Sequence, residues 1–257
     1  MPHVVDLHRY PVKGLSPEPL PFLDLTREGG LAHDRAYALA LGTTQFDEAH
    51  PAPLDKGFFL MLRSNESLAA LRTRLDPETH VLDVSRNGAA LLRADLSTPE
   101  GRDAAGAFFT AFAGEAAQGT IRVVAAPGHK FTDVSKLSPS MMRAISVVNL
   151  ASVRALSEVV GTELHPLRFR ANIALDGAEP NEELGWVGRE VRIGTLRLRG
   201  AQRTRRCAAI DVNPVTAERD TRLPKAIVQA YGHPDLGVYL EVVEDGRISV
   251  GDTVTVT

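Results

Sequence analysis

The lone cysteine of the chain, Cys207, closes the run Gln202-Arg203-Thr204-Arg205-Arg206-Cys207. A thiol acts as nucleophile or metal ligand in its thiolate form, and neighbouring cations favour that form. Three arginines in the five preceding positions therefore bias Cys207 toward reactivity. The competing reading is a buried cysteine that serves as a small hydrophobe. A second cluster, Arg168-Phe169-Arg170-Ala171-Asn172, sets Arg168, Arg170 and Asn172 on one face if the segment is extended. Those groups suit an oxyanion beside a heterocycle edge, with a surface arginine pair as the alternative. Between residues 168 and 206 nine arginines face five acids, which reads either as a solvated basic face or as a pocket for a small anion.

Three further positions bear on chemistry. Lys13 ends the run Arg9-Tyr10-Pro11-Val12-Lys13-Gly14, where a solvated loop lysine is the ordinary alternative. Asp34-Arg35 leads into a strand, a usual place for a rim or salt-bridge arginine. Ser152 falls in the first turn of a helix capped by Asn149, where free backbone N–H groups favour anions. The eight histidines are scattered, and none has a spacing that implies a metal site. No nucleophile elbow, phosphate loop, zinc helix or dinucleotide turn is present.

The elements that must position these residues are mostly strands. Val4–His8, Ala36–Leu41 and Thr253–Thr257 are strand candidates. Asn87-Gly88, Gly194-Thr195 and Asp245-Gly246 each separate two strand-like runs and predict three hairpins. Leu68–Arg72 is a short helix candidate. Longer helices are predicted after Thr98-Pro99-Glu100, after Asn149 up to Gly161, and from Pro224 to Gly232. The pattern is α+β, mainly β, with two β-rich modules and a break near 95–105. We expect domains at 1–98 and 99–257.

Composition narrows the setting. With 44% hydrophobic and 24% charged residues, the 257-residue chain reads as an ordinary globular protein. No apolar run suits a membrane span, and the N-terminus lacks signal-peptide character, so a cytoplasmic protein without a membrane role is expected. A single cysteine excludes an internal disulfide and any cysteine-cluster metal site. A net charge of −3 argues against general nucleic-acid binding.

Taken in order, several segments resemble the MOSC family, the molybdenum cofactor sulfurase C-terminal domain proteins, with the N-terminal β-barrel module that often precedes that domain. Tyr10-Pro11-Val12-Lys13 and Gly30-Leu31-Ala32-His33-Asp34-Arg35 resemble the two signatures of the N-terminal module. Arg168-Phe169-Arg170-Ala171-Asn172-Ile173 resembles the family's Arg-Phe-Arg-x-Asn segment, and Arg206-Cys207 with Asp211-Val212-Asn213-Pro214 its Arg-Cys…Asp-Pro segment. Gly237-Val238-Tyr239 and Gly246–Asp252 resemble its closing hairpin. Gly14, Arg205 and Asn213 depart from the residues common in relatives, which have serine, a small polar residue and aspartate there.

The resemblance implies an N-terminal β-barrel-like module, a MOSC β-barrel with a few peripheral helices, and a site for molybdenum bound to molybdopterin. Cys207 would ligate the metal. Lys13, Arg35, Ser152, Arg170, Asn172, Arg205 and Arg206 align with cofactor-lining positions of the amidoxime-reducing relatives, and Arg168 heads the same arginine segment. Asp211 and Asn213, close to Cys207 in sequence, are candidates to contact substrate or a metal-bound water. The implied function is an oxidoreductase acting on N-hydroxylated or N-oxide compounds, a small-molecule substrate class. Its electrons would come from an external flavoprotein or iron–sulfur protein. The alternatives are a non-catalytic carrier of the cofactor or its sulfur, and a family member with a structural role only.

Overall fold

Runs rich in leucine, valine and isoleucine pleat into strands that send alternate side chains inward, as in Phe22–Thr26, where Leu23 and Leu25 are buried and their neighbours exposed. The computed structural model describes residues 1–257. The first half of the chain forms β1 (His3–Arg9), β2 (Glu18–Pro19), β3 (Phe22–Thr26), β4 (Gly30–Leu31), β5 (Tyr37–Ala40), β6 (Arg72–Leu75), β7 (Val81–Arg86), β8 (Ala89–Asp95), α1 (Pro99–Ala113) and β9 (Arg122–Ala125). The second half forms α2 (Pro139–Met142), β10 (Ile145–Asn149), α3 (Leu150–Val160), β11 (Ile173–Asp176), β12 (Glu190–Ile193), β13 (Leu196–Arg205), α4 (Leu223–Tyr231), β14 (Asp235–Val242), β15 (Gly246–Ser249) and β16 (Val254–Val256). The fold is α+β and mainly β.

Local chemistry fixes the turns and helix ends. Asn87 and Gly88 both take positive φ, 51° and 80°, the geometry of a tight hairpin turn between β7 and β8. Thr98 accepts a hydrogen bond from the Gly101 N–H at the head of α1, with Pro99 at the first helical position. Asn149 Oδ1 caps α3 by accepting from the Ala151 N–H, and left-handed glycines, Gly161 and Gly232, close α3 and α4. Gly194-Thr195 joins the paired strands β12 and β13. The Leu68–Arg72 segment is a short 3-10 turn over Glu66–Ala70 followed by β6.

The third expected hairpin does not form. β14 pairs with β13 and β10, whereas β15 pairs antiparallel with β3. Ile248 meets Leu23 in one buried core, and Arg247 forms an ion pair with Asp24. Long-range burial of Ile248 outweighs the local turn signal of Asp245-Gly246.

The largest sheet is a curled half-barrel of eight strands, in the order β16-β12-β13-β14-β10-β11-β1-β2. β1, from the start of the chain, lies beside β11, and β3 and β4 add Leu23, Leu25 and Leu31 to the core under this sheet. A second core gathers β5–β9 around α1, which buries Ala105 and Phe109 there with Leu82 and Val84. The expected boundary at 98/99 thus precedes a helix that packs on the first unit. A third core sits between α3, α4 and Phe169. The segment that carries Lys13 and Arg35 and the segment that carries Cys207 meet where these cores adjoin.

A candidate cofactor cleft around Cys207

Lys13 and Arg35 are delivered by two loops stitched together by backbone bonds. The Lys13 N–H donates to the Tyr37 carbonyl, and the Arg35 N–H to the Tyr10 carbonyl. Gly14 follows with φ +86°, and a Cβ there would sit 2.8 Å from the Leu60 carbonyl oxygen. The glycine that departs from the relatives' serine is therefore required by the backbone of this chain. Arg35 itself takes positive φ, 49°, which aims its guanidinium back toward Arg170 and Asn172. It donates to Asp34 at 2.6 Å, to Asn172 Oδ1 at 3.3 Å and to the Arg170 carbonyl at 3.1 Å.

The second half supplies the opposite wall. Arg168–Asn172 is not an extended strand. Pro166–Phe169 forms a 3-10 turn and Arg170 is left-handed at φ 51°, because Phe169 turns into the core under α3. Arg168, Arg170 and Asn172 nevertheless reach one cleft, where Lys13, Arg35, Arg205, Arg206 and Cys207 also line the wall. The cleft encloses about 910 Å3, its open mouth included. Cys207 is half-buried there and opens a 3-10 turn, its carbonyl accepting from the Ile210 N–H.

The cations of this cleft differ in what already holds them. Arg168 is anchored by Asp220 at 2.7 Å and by the Ile210 and Asp211 carbonyls. Lys13 Nζ donates to Asp133 and to the Phe131 carbonyl. Arg170, Arg205 and Arg206 have no carboxylate partner, and Arg170 and Arg205 make no side-chain hydrogen bond. Arg170 and Arg35 each lie 4.6 Å from the centroid of the Tyr10 ring, a cation–π arrangement. Arg206 donates to the Leu236 and Phe169 carbonyls, leaving its Nη2 buried without a partner. Gly237 lets β14 pass this group, since a Cβ there would lie 2.8 Å from Arg206 Nη2. Thr204 Oγ1 is a second buried orphan on a lining residue.

Burial and neighbouring charge tune the ionisable groups. Burial pulls Lys13 below the usual lysine range, opposed by Asp133. Burial raises the Asp133 carboxyl, but the Lys13 and Lys56 ammonium groups outweigh it and hold that carboxyl well below the usual range. Burial pushes the Tyr10 hydroxyl up to about 12 and raises Tyr239, which also lines the cleft. Burial lowers Arg170, with Arg35 adding to the effect, and burial lowers Arg206 against the opposing pull of Tyr239, Cys207 and Glu183. A cleft with this surplus of cations is built for an anion.

Three expected site residues lie elsewhere. Ser152 is fully buried and donates to Glu183, with its oxygen accepting from the Asn181 N–H, so the α3 N-terminus faces protein. Asp211 accepts from the Leu223 N–H at 2.7 Å and so holds the start of α4. Asn213 bonds to Asp220 and to its own turn. None of the three lines the cleft. Asn172 lines it, yet its amide is fully engaged, donating to the His8 carbonyl and Asp34 and accepting from Ser146 and Arg35. It positions Arg35. Asp34, Asp133 and Tyr239 escaped the sequence reading. Asp34 lies inside the Gly30–Arg35 signature and Tyr239 inside the Gly237-Val238-Tyr239 segment, whereas Asp133 falls in no quoted segment.

The donor set fits a phosphate-bearing, thiolate-ligated group. Arg170 and Arg205 are open to an oxyanion, the unpartnered Nη2 of Arg206 is buried in the same wall, and Cys207 is the one thiol. No group of three or more His, Cys, Asp or Glu side chains could hold a metal ion by itself. A metal in this cleft would have to arrive with ligands of its own.

Comparison with known proteins agrees with the architecture. A MOSC N-terminal beta barrel domain matches residues 1–120 and a MOSC domain matches residues 129–255. Similar solved structures include the YUAD protein from Bacillus subtilis, 14% identical over 100% of this chain and 96% of that one, with a TM-score of 0.47. They also include YiiM from Geobacillus stearothermophilus, 23% identical with a TM-score of 0.36, and YiiM from Escherichia coli, 17% identical with a TM-score of 0.31. The match to each YiiM covers 44% of this chain and 53% of that protein, so the chain spans about half the length of either. No curated protein matches the sequence. The chain is thus a MOSC-domain protein, with a MOSC N-terminal beta barrel domain ahead of a MOSC domain of the molybdenum cofactor-binding or sulfurase type.

Proposed function

We propose that the cleft holds molybdenum–molybdopterin through Cys207, and that the protein reduces N-hydroxylated or N-oxide compounds with electrons from a separate flavoprotein or iron–sulfur protein. The observation that carries this reading is the meeting of one thiol with three arginines that lack carboxylate partners. Cys207 Sγ is the protein ligand. Arg205 and Arg206 hold the terminal phosphate of the pterin group through charge-assisted hydrogen bonds, and Arg170 is left for the substrate. Lys13 and Arg35, fixed by Asp133 and Asp34, set the wall opposite. The cofactor, when bound, supplies the two-electron metal chemistry. In the overall reaction the N–O bond breaks, two electrons come from the donor protein and two protons are taken up, so that the oxygen leaves as water; both protons go to oxygen for an N-oxide, and one goes to nitrogen for an N-hydroxylated compound. For this step the chain's own part is to orient the group and keep Cys207 within reach of it.

The half-buried position of Cys207 also suits release of the group, as a carrier of cofactor or sulfur would need. Turnover separates the two readings. Protein from a cofactor-producing host is supplied with reduced methyl viologen and an N-hydroxylated substrate. Turnover that Cys207→Ser abolishes supports the reductase. Transfer of cofactor to an apo-enzyme without turnover identifies the carrier, and undiminished turnover in Cys207→Ser rejects the proposed ligand.

A further inference from the structure

A second cavity adjoins the Cys207 cleft. The two share Gly14, Leu62, Arg168, Arg170 and Ala209 as a common wall. We propose that this second cavity is the chamber for the substrate's ring, and that it selects an aromatic or heteroaromatic group carrying no positive charge. The proposal rests on the reductase reading above, because it places the reacting N–O group of that ring compound toward Cys207.

The chamber's surfaces carry the argument. Its apolar side is formed by Leu15, Leu68, Leu167, Val212, Pro214 and Val215. Leu15, Leu68 and Val212 are at most 2% exposed, so the floor is rigid core, whereas Val215 is 67% exposed at the mouth. The space is about 230 Å3, smaller than a drug-sized site and on the scale of a single ring. No aspartate or glutamate lines it. Its cations are mostly held by the protein: Arg72 donates to the Ala69, Leu71 and Pro214 carbonyls, and Arg168 to Asp220. Arg170, on the shared wall, is left free. A ring with a positive substituent would meet arginine and histidine and no counter-charge. A neutral ring would displace water from leucine and valine and leave its polar head beside Arg170.

The test is titration calorimetry of the cofactor-loaded protein with three oximes: acetaldoxime, benzaldoxime and 4-(aminomethyl)benzaldoxime. Burial of a ring predicts that benzaldoxime binds about tenfold or more tightly than acetaldoxime. The cationic ring should show no such advantage. Val215→Trp, which fills the mouth from an exposed position, should bring the ring advantage down to about one, judged against the apolar area lost. Val215→Glu should strengthen binding of the cationic ring relative to the neutral one. Equal binding of benzaldoxime and acetaldoxime, equal binding of the two rings, or a ring advantage untouched by Val215→Trp would overturn the chamber. Molybdenum content and oxime turnover are read in parallel. Ring preference in a protein that takes up no molybdenum removes the reductase reading and keeps the chamber. Turnover without ring preference does the reverse.

Discussion

At the residue scale, the cleft separates cations that the protein has already neutralised from those it leaves open. Arg205 is exposed and makes no side-chain hydrogen bond, so it can act on a ligand without disturbing the fold. Arg205→Ala should weaken retention of the pterin group by about tenfold, the worth of one charge-assisted hydrogen bond, while the melting temperature stays put. Cofactor content after dialysis measures this, and unchanged retention would remove Arg205 from the site. Lys13 behaves oppositely, because it is buried and Asp133 is its counter-charge. Asp133→Asn should cost about 1–3 kcal/mol, less than a fully buried pair because Asp133 is partly exposed. The Asp133 carboxyl is depressed in the folded state, so its contribution is present above the ordinary carboxylate range. It is lost as pH falls through the depressed value. The stability gap between wild type and variant should therefore be full at neutral pH and close below about pH 4. Denaturant melts across pH read this directly, and a gap that widens in acid would refute it.

At the element scale, the N-terminus of α3 shows how a generic signal was redirected. Its free N–H groups and Ser152 suggested an anion site, but Glu183 is buried against them, accepting from Ser152, Asn149 and the Gly237 N–H. Burial raises the Glu183 carboxyl, and those donors oppose the rise. Ser152→Ala should lower stability by about 1–3 kcal/mol by leaving buried partners unsatisfied, with cofactor content unaltered. Loss of cofactor from a stably folded Ser152→Ala would restore Ser152 to the site. What was legible in the sequence was local. Asn87-Gly88, Thr98-Pro99 and Asn149…Gly161 declare a turn, a helix start and a whole helix through interactions within a few residues. The pairing of β15 with β3 spans most of the chain and left no local trace, so Asp245-Gly246 misled. The Arg168–Asn172 segment was expected to be extended, and a 3-10 turn brings the same three residues to the cleft by another route. Asp133 could not be found from sequence, because its importance lies only in meeting Lys13 across 120 positions.

At the scale of the whole molecule, the cleft exists only because the two halves interlock. β1 runs in the large sheet beside β11, which sets Lys13 against the Arg168–Asn172 segment, and Tyr10 donates to the Ala171 carbonyl across the same seam. His129 is buried in this assembly, and His8 and His33 are half-buried. Burial lowers His8, His33 and His129, with nearby cations adding to the effect at His33. Below about pH 6.5 the unfolded chain binds protons that these folded-state imidazoles resist. Stability should therefore be full above that pH and decline as pH falls toward 5, as denaturation midpoints would show. A midpoint that rises on acidification would contradict the burial of these groups. No helix is long and apolar enough to cross a membrane.

The central claim is that Cys207 and the open arginines hold a molybdenum–pterin group. The most direct measurement is molybdenum and pterin content per chain, for wild type and Cys207→Ala, purified from a host that makes the cofactor. The account predicts about one of each per wild-type chain, as one cysteine thiolate implies, with the metal lost from the variant. A wild-type chain that carries neither molybdenum nor pterin, or a Cys207→Ala variant that keeps its full metal content, would contradict it.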